Sequence, residues 1–167
     1  MQAFEATSDL FIDWLPNSAS WKISGEDPVK VGKTKAMLVD PQTLLTGWGI
    51  WPEGGMPDYR WSETPGSLSD KPGDDWKKAF SLTVHLRKED GWPVEGEALW
   101  RTPKVGSFQS IAGVWADVDK AAKKQTGALA KLKIKGTQDK QFKGGRSTTL
   151  VALEMDELID AGDATEF

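Results

Sequence analysis

The chain has 167 residues, a single histidine and no cysteine, and its formal net charge at pH 7 is −4. This length suits one domain with its own core, and the lack of cysteine excludes disulfides and thiolate metal sites. The nine tryptophans far exceed ordinary usage, and 17 glycines favour many turns over long helices.

The chain shows no pattern that would direct it to or through a membrane. The first 15 residues carry acids and no basic segment, so a secretory signal is not expected. No apolar run approaches the roughly 20 residues that span a bilayer. We therefore expect a cytoplasmic protein that makes no use of a membrane.

The first half of the chain contains three predicted strands. Residues 1–17 form an apolar lead-in that ends in a turn. Apolar and polar residues alternate over 19–24, and short apolar segments follow at 36–39 and 44–51. Both patterns are typical of strands. Residues 52–75 are rich in glycine, proline and acids without any period, and predict a long loop insertion.

The second half contains four more strands and one helix. The clearest strand covers 79–86, where Ser81, Thr83 and His85 are expected to face solvent, and a shorter strand covers 97–101. Helical spacing predicts a helix over 107–125, which Ser107 would cap. Alternation returns over 128–135 and 147–155, joined by a basic loop.

This order predicts a mainly β fold. Three strands, an insertion with a further strand pair, one helix and two final strands match the five-stranded OB barrel, with the helix between strands 3 and 4. A generic α+β sheet remains open, whereas immunoglobulin-like sandwiches lack the central helix. We expect an OB domain over 1–155, with 52–75 as its insertion, and a disordered acidic tail over 156–167.

The last third of the chain is electrically split. Residues 120–146 contain nine lysines or arginines and one acid, Asp139, whereas residues 152–167 contain six acids and no base. Opposite blocks this close attract each other, so the acidic end could occupy whatever the basic stretch binds. The alternative is that both are solvated faces that keep the domain soluble.

Catalysis has little support in the sequence. The one histidine, His85, is expected to be a solvated strand residue. Gly32-Lys33-Thr34 matches only the end of a phosphate-binding loop, because Asp27 stands where that motif needs glycine. We expect neither an enzyme nor a cofactor or metal.

Binding has more support, because single-stranded nucleic acid is held by cations that follow the phosphates and by aromatic faces on which bases stack. Several tryptophans lie in glycine- or proline-rich surroundings, two of them beside an arginine, whereas Trp21 and Trp115 are expected in the core and Trp14 at the end of the barrel. The candidate DNA-binding residues are Trp48, Trp51, Trp61, Trp76, Trp92, Trp100, Arg60, Arg101, Lys131, Lys133, Lys135, Lys140, Lys143 and Arg146. For the strand lysines, protection of an edge strand is the alternative.

The strand order, the basic hairpin of 131–146 and the ending from Met155 to Phe167 resemble the bacteriophage and bacterial single-stranded DNA-binding proteins built on an OB fold. That resemblance implies an acidic tail with a terminal aromatic, which docks onto replication and recombination proteins and competes with DNA. The matching tail residues are Asp160, Asp163, Glu166 and Phe167.

The sequence thus predicts a single-stranded DNA-binding protein that coats exposed strands in phage replication or recombination, in the host cytoplasm if a phage encodes it. Neutralisation of phosphates and stacking on tryptophans would make this binding nonspecific for sequence. RNA as a ligand and assembly into homo-oligomers are left open. A tryptophan-rich carbohydrate-binding module is one alternative, since sugars also stack on indoles. A phage structural or host-interaction protein is another.

Overall fold

The computed structural model describes residues 10–52, 55–64, 67–145 and 147–160, and the side chain of Lys143 is outside this description. The described chain is mainly β with one α-helix. In chain order its elements are β1 (Ile12–Leu15), β2 (Ser20–Ile23), β3 (Val29–Lys30), β4 (Ala36–Val39), β5 (Leu45–Ile50), β6 (Asp58–Trp61), β7 (Lys77–Leu86), β8 (Gly96–Thr102), α1 (Val105–Ala122), β9 (Leu129–Gln141) and β10 (Ser147–Ile159).

Seven strands form the main sheet, in the order β10-β9-β4-β7-β5-β6, with β8 on the other side of β7. β4 and β5 both pair with β7, β4 along its end and β5 along its start. A 3₁₀ turn at Pro41–Thr43 separates them, and the Asp40 carboxylate accepts a hydrogen bond from the Gln42 backbone N–H at its start. β4 and β5 therefore act as one strand interrupted at proline, which cannot donate to a ladder.

The main sheet does not close into a barrel within the described chain. β1, β2 and β3 form a separate three-stranded sheet. To close a barrel, β8 would have to pair with β10, and β1 lies between these two strands. The Leu99 N–H of β8 donates to the Leu10 carbonyl at 2.9 Å. On the other side, Trp14 Nε1 donates to the Thr149 carbonyl of β10 at 2.9 Å. β1 thus bridges β8 and β10.

The core is built around a cluster of tryptophans. Trp21 is fully buried, and the rings of Trp14, Trp92 and Trp100 lie edge-on to it at centroid distances of 5.0, 5.6 and 5.3 Å. Such geometry places the positive edge of one ring against the negative face of another. The expected core position of Trp21 is confirmed, and Trp14 is buried beside it. Trp115, also expected in the core, is half-buried against the same cluster.

Several expectations need correction. The insertion of 52–75 contains β6, and the lead-in contains β1. β10 continues to Ile159, so the domain does not end at 155, and residues 156–159 are strand rather than tail. Ser107 lies inside α1 and does not cap it, because the helix already begins at Val105 without a side-chain cap.

Most of β7 is buried, and only its first two residues are exposed, unlike the half-exposed strand that alternation predicts. Ser81 and His85, expected to face solvent, are 2% and 5% exposed. The reason is that longer side chains of β8 lie over them: Arg101 Nε donates to Ser81 Oγ at 3.2 Å, and Glu97 Oε1 lies 3.6 Å from His85 Nε2. Burial lowers the pKa of His85, and the nearby Glu97 carboxylate partly opposes this shift.

Candidate functional site

β5 and β6 form a two-stranded extension that displays aromatic and cationic side chains on both faces. In its register, Trp61 lies opposite Gly47, Tyr59 opposite Gly49, and Arg60 opposite Trp48. Because residues directly opposite one another share a face, Tyr59 and Trp61 lie over the two glycines. Arg60 and Trp48 project from the other face.

The two glycines of β5 make room for these rings. A methyl group on Gly49 would lie 3.0 Å from the Tyr59 ring and 2.9 Å from Pro103 Cβ. A methyl group on Gly47 would overlap the Arg60 carbonyl oxygen and lie 2.8 Å from the Trp61 Cα. Both positions therefore need glycine for close packing of β6 against β5.

We call Tyr59, Trp61 and Arg101 the aromatic platform. The two rings stack with centroids 5.0 Å apart and planes 8° from parallel. The Arg101 guanidinium lies 5.8 Å from the centroid of Tyr59 and 5.6 Å from that of Trp61, within reach of a cation–π attraction. Arg101 Nε also donates to Ser81 Oγ at 3.2 Å, which orients the guanidinium.

Both rings of the platform are half-buried, so each keeps part of its surface accessible. Burial raises the pKa of the Tyr59 hydroxyl, partly opposed by the Arg101 charge. The phenol is therefore neutral at physiological pH. The platform thus offers neutral aromatic surface and one fixed positive charge, a combination suited to a planar ring that carries an anion.

A groove of about 430 Å³ continues from the platform over the outer face of β7 and β8. We call it the outer groove. Its volume falls in the range typical of small-molecule sites, and its walls combine carboxylate, amide, hydroxyl and aliphatic groups. The lining residues are Asp40, Gln42, Thr43, Leu45, Ser81, Thr83, Glu97, Leu99 and Arg101.

The opposite face of the β5–β6 extension carries a second set of rings and cations. The Arg60 guanidinium lies 5.1 Å from the centroid of Trp76, and Trp48 Nε1 donates to the Ser69 carbonyl at 2.9 Å. Trp51, just beyond β5, is 66% exposed. Trp48, Trp51, Trp61 and Trp76 all keep accessible surface, but they do not share one face.

The predicted DNA-binding role of Trp92 and Trp100 is wrong. They are 2% and 0% exposed, so neither can present a face to a ligand. Trp100 lies opposite Leu82 on the core side of β8, and Trp92 Nε1 donates to the buried Ala36 carbonyl at 2.6 Å. Strand alternation places Arg101 on the outer face for the same reason that it places Trp100 inside.

The lysines of β9 face acids of β10. Lys131 Nζ lies 3.8 Å from the Asp156 carboxylate, and Lys135 Nζ lies 3.5 Å from that of Glu154. Lys133 is directly opposite Glu154 in the register. The two charge blocks therefore meet within one hairpin, and much of the predicted positive charge is compensated there. Such partly exposed pairs are weak, about 0–1 kcal/mol, so a phosphate can compete with them.

The remaining predicted residues lie at the hairpin tip and at the end of the chain. Lys140 is exposed near the tip, opposite Thr148, and Asp160 is exposed directly after β10. Arg146, the Lys143 side chain, Asp163, Glu166 and Phe167 lie outside the described residues.

Sequence reasoning missed Tyr59 and the walls of the outer groove. A signal for Tyr59 exists, because Gly47-Trp48-Gly49 in one strand leaves space for the alternating rings of Tyr59-Arg60-Trp61 in the next. The groove has no local signal, since its walls come from separate strands and one turn.

No protein-family model, curated protein or solved structure matches the chain. In the described ranges, no helix is long and apolar enough to cross a membrane.

Proposed function

We propose that the protein binds single-stranded nucleic acid without catalysis and coats exposed DNA strands during replication or recombination. The observation that carries this proposal is the aromatic platform, where stacked, accessible rings adjoin a fixed guanidinium. Base–aromatic stacking contributes roughly 1–3 kcal/mol per base and is tolerant of sequence. Arg101 lies beside both rings and can supply the positive partner that a phosphate attached to a stacked base needs.

The strand pairing supports an OB-like core as part of the proposal. With β4 and β5 taken as strand 1, β7 as strand 2, β8 as strand 3, and β9 and β10 as strands 4 and 5, four successive pairings are present: 1–2, 2–3, 1–4 and 4–5. OB barrels are often partly open. Here we infer that β1 fills the gap between strands 3 and 5.

The position of the platform supports the same assignment. OB folds bind oligonucleotides on the face of strands 2 and 3 and with the loops joining strands 1–2 and 4–5. The outer groove lies on β7 and β8, and β6 with Tyr59 and Trp61 belongs to the connection between strands 1 and 2. The β9–β10 hairpin, with Lys140, is the other loop.

Titration with an oligo-dT, monitored by tryptophan fluorescence, tests the proposal. We expect quenching that added salt reverses, because bound phosphates displace counterions. Trp61→Ala should weaken binding roughly 5- to 150-fold, and Arg101→Ala should make the salt dependence shallower by about one phosphate. Lys30→Ala, at an exposed lysine of β3 outside the platform, the groove and the basic stretch of 120–146, is the control. Absence of any salt-sensitive binding would reject the function.

A carbohydrate ligand is the second candidate, because a groove with carboxylate and amide groups beside stacked rings also suits a sugar, and OB folds bind oligosaccharides as well. The same titration with a neutral soluble polysaccharide separates the two. Quenching that salt does not affect would favour the carbohydrate.

A further inference from the structure

We propose that the outer groove accepts an unstacked base that carries an exocyclic amino group, so that the protein prefers cytosine to uracil or thymine. This inference rests on the proposed function, since it concerns which base enters a site for single-stranded nucleic acid. The base preference depends on the hydrogen-bonding groups of the outer groove. Arg101 is the one residue that the groove shares with the platform.

The groove is a continuation of the platform. Arg101 belongs to both, lying over the Tyr59 and Trp61 rings and forming part of the groove wall. Apolar contact is available from Leu45 and Leu99. A base next to one that stacks on the platform is therefore within reach of the groove, with aliphatic side chains along its faces.

Two carboxylates lie at the groove wall, beside the Gln42 amide, three hydroxyls and the Arg101 guanidinium. Asp40 and Glu97 contribute the carboxylates, and one oxygen of Glu97 lies 3.6 Å from His85 Nε2. Asp40 uses one oxygen to accept the Gln42 N–H at 3.1 Å, and an ionised carboxylate accepts about four hydrogen bonds. The Thr43 hydroxyl already donates to the Asp40 carbonyl at 2.8 Å and accepts from the Thr83 N–H at 2.9 Å. Ser81 Oγ accepts from Arg101.

The two carboxylates can select among bases through the hydrogen-bonding groups on the base edge. Aspartate and glutamate accept from the N4 amino group of cytosine. Uracil and thymine present a carbonyl oxygen at that position, and a carboxylate repels it. The same carboxylates repel phosphate, so the backbone must pass on the platform side. Arg101 lies there, and Lys77 shares that face because it pairs with Gly49.

Binding of oligo-dC and oligo-dU of equal length tests the inference, at a mildly alkaline pH where cytosine is unprotonated. The two bases differ only at two neighbouring ring positions. Cytosine carries an amino group at C4 and no proton on N3, whereas uracil carries a carbonyl oxygen at C4 and a proton on N3. We expect dC to bind about 5- to 150-fold more tightly. Asp40→Asn and Glu97→Gln should each reduce this ratio, since the amide adds a donor. Asparagine still caps the turn, so the fold is retained.

Asp58→Asn is the matched control. It removes the same charge, and Asp58 lies opposite Ile50 on the other face of the extension, outside the groove. It should tighten both ligands equally and leave the dC:dU ratio unchanged. A ratio near one in the unmodified protein would overturn the base preference while the proposed function stands. A ratio that Asp40→Asn and Glu97→Gln both leave intact would remove the groove as its cause. If neither ligand binds, both proposals fail.

Discussion

Replacing Gly47 with alanine should separate β6 from β5 without unfolding the domain. The added methyl group would overlap the Arg60 carbonyl oxygen and lie 2.8 Å from the Trp61 Cα, both backbone atoms of β6 that no side-chain rotation can move. Overpacking of this kind typically costs about 1–3 kcal/mol. β6 is an edge strand with four register pairs, so we expect the strain to be relieved by its displacement.

Gly113 offers a matched control of the same chemistry. It lies inside α1, is exposed, and an added methyl group would meet nothing within 4 Å. Gly113→Ala should therefore stabilise the protein by up to about 1 kcal/mol through helix propensity. Urea unfolding, followed by circular dichroism, should show the two variants shifting the free energy of unfolding in opposite directions.

Gly47→Ala should reduce the affinity for oligo-dT more strongly than it reduces the free energy of unfolding. Displacement of β6 disorganises both rings of the platform, and each lost stacking contact weakens oligo-dT binding roughly 5- to 150-fold. Gly113→Ala should bind like the unmodified protein. If Gly47→Ala binds oligo-dT normally while its stability falls as expected, the platform is not where bases stack. If its stability is unchanged, the close approach of β6 is not what makes glycine necessary.

Three further outcomes are expected. Burial lowers the pKa of His85 below its usual 6.5, so the unfolded chain takes up the proton first. The free energy of unfolding should then be at its full value above about pH 6.5 and decline as the pH falls through the folded-state pKa; His85→Gln should flatten this decline in melting curves. Glu154→Gln with Asp156→Asn should release Lys135 and Lys131, giving tighter oligo-dT binding and a steeper salt dependence; an unchanged salt slope would place the β9 lysines off the nucleic-acid path. Deleting 161–167 removes two of the six C-terminal acids and should tighten binding at low salt, whereas deletion from 156 also removes the end of β10 and should lower the melting temperature. Equal affinity with and without 161–167 would exclude the tail as a competitor.

Strong local patterns predicted most of the sheet and the helix. β4 begins and ends where its apolar run does, and no end of β7, β8 or α1 differs from its predicted position by more than three residues. β1, β3 and β6 have only two to four residues each. Their pairing partners, rather than a repeating pattern of their own, make them strands, so their sequences carried little signal.

The candidate site was predictable in part. The wrong assignment of Trp100 follows from the alternation of side chains between the two faces of a strand. Trp100 and Arg101 look like a joint aromatic–cation pair in the sequence, but neighbouring residues in a strand point to opposite faces. Arg101 reaches the platform and Trp100 fills the core. The acidic block was predicted as a tail that competes for the β9 lysines. Part of it instead pairs with β9 as a neighbouring strand, which composition alone does not distinguish from a flexible segment.

The location of β1 has a consequence for how the protein is made. Its indole at Trp14 bonds to a carbonyl 135 residues later in the chain, and the adjoining Leu10 bonds to Leu99. During synthesis β1 leaves the ribosome long before β8 and β10. Ile12 and Trp14 therefore lack their native contacts with these two strands until most of the chain has been made. Contacts so distant in sequence also slow folding. The full set of contacts of β1 can therefore form only after β10 has been made.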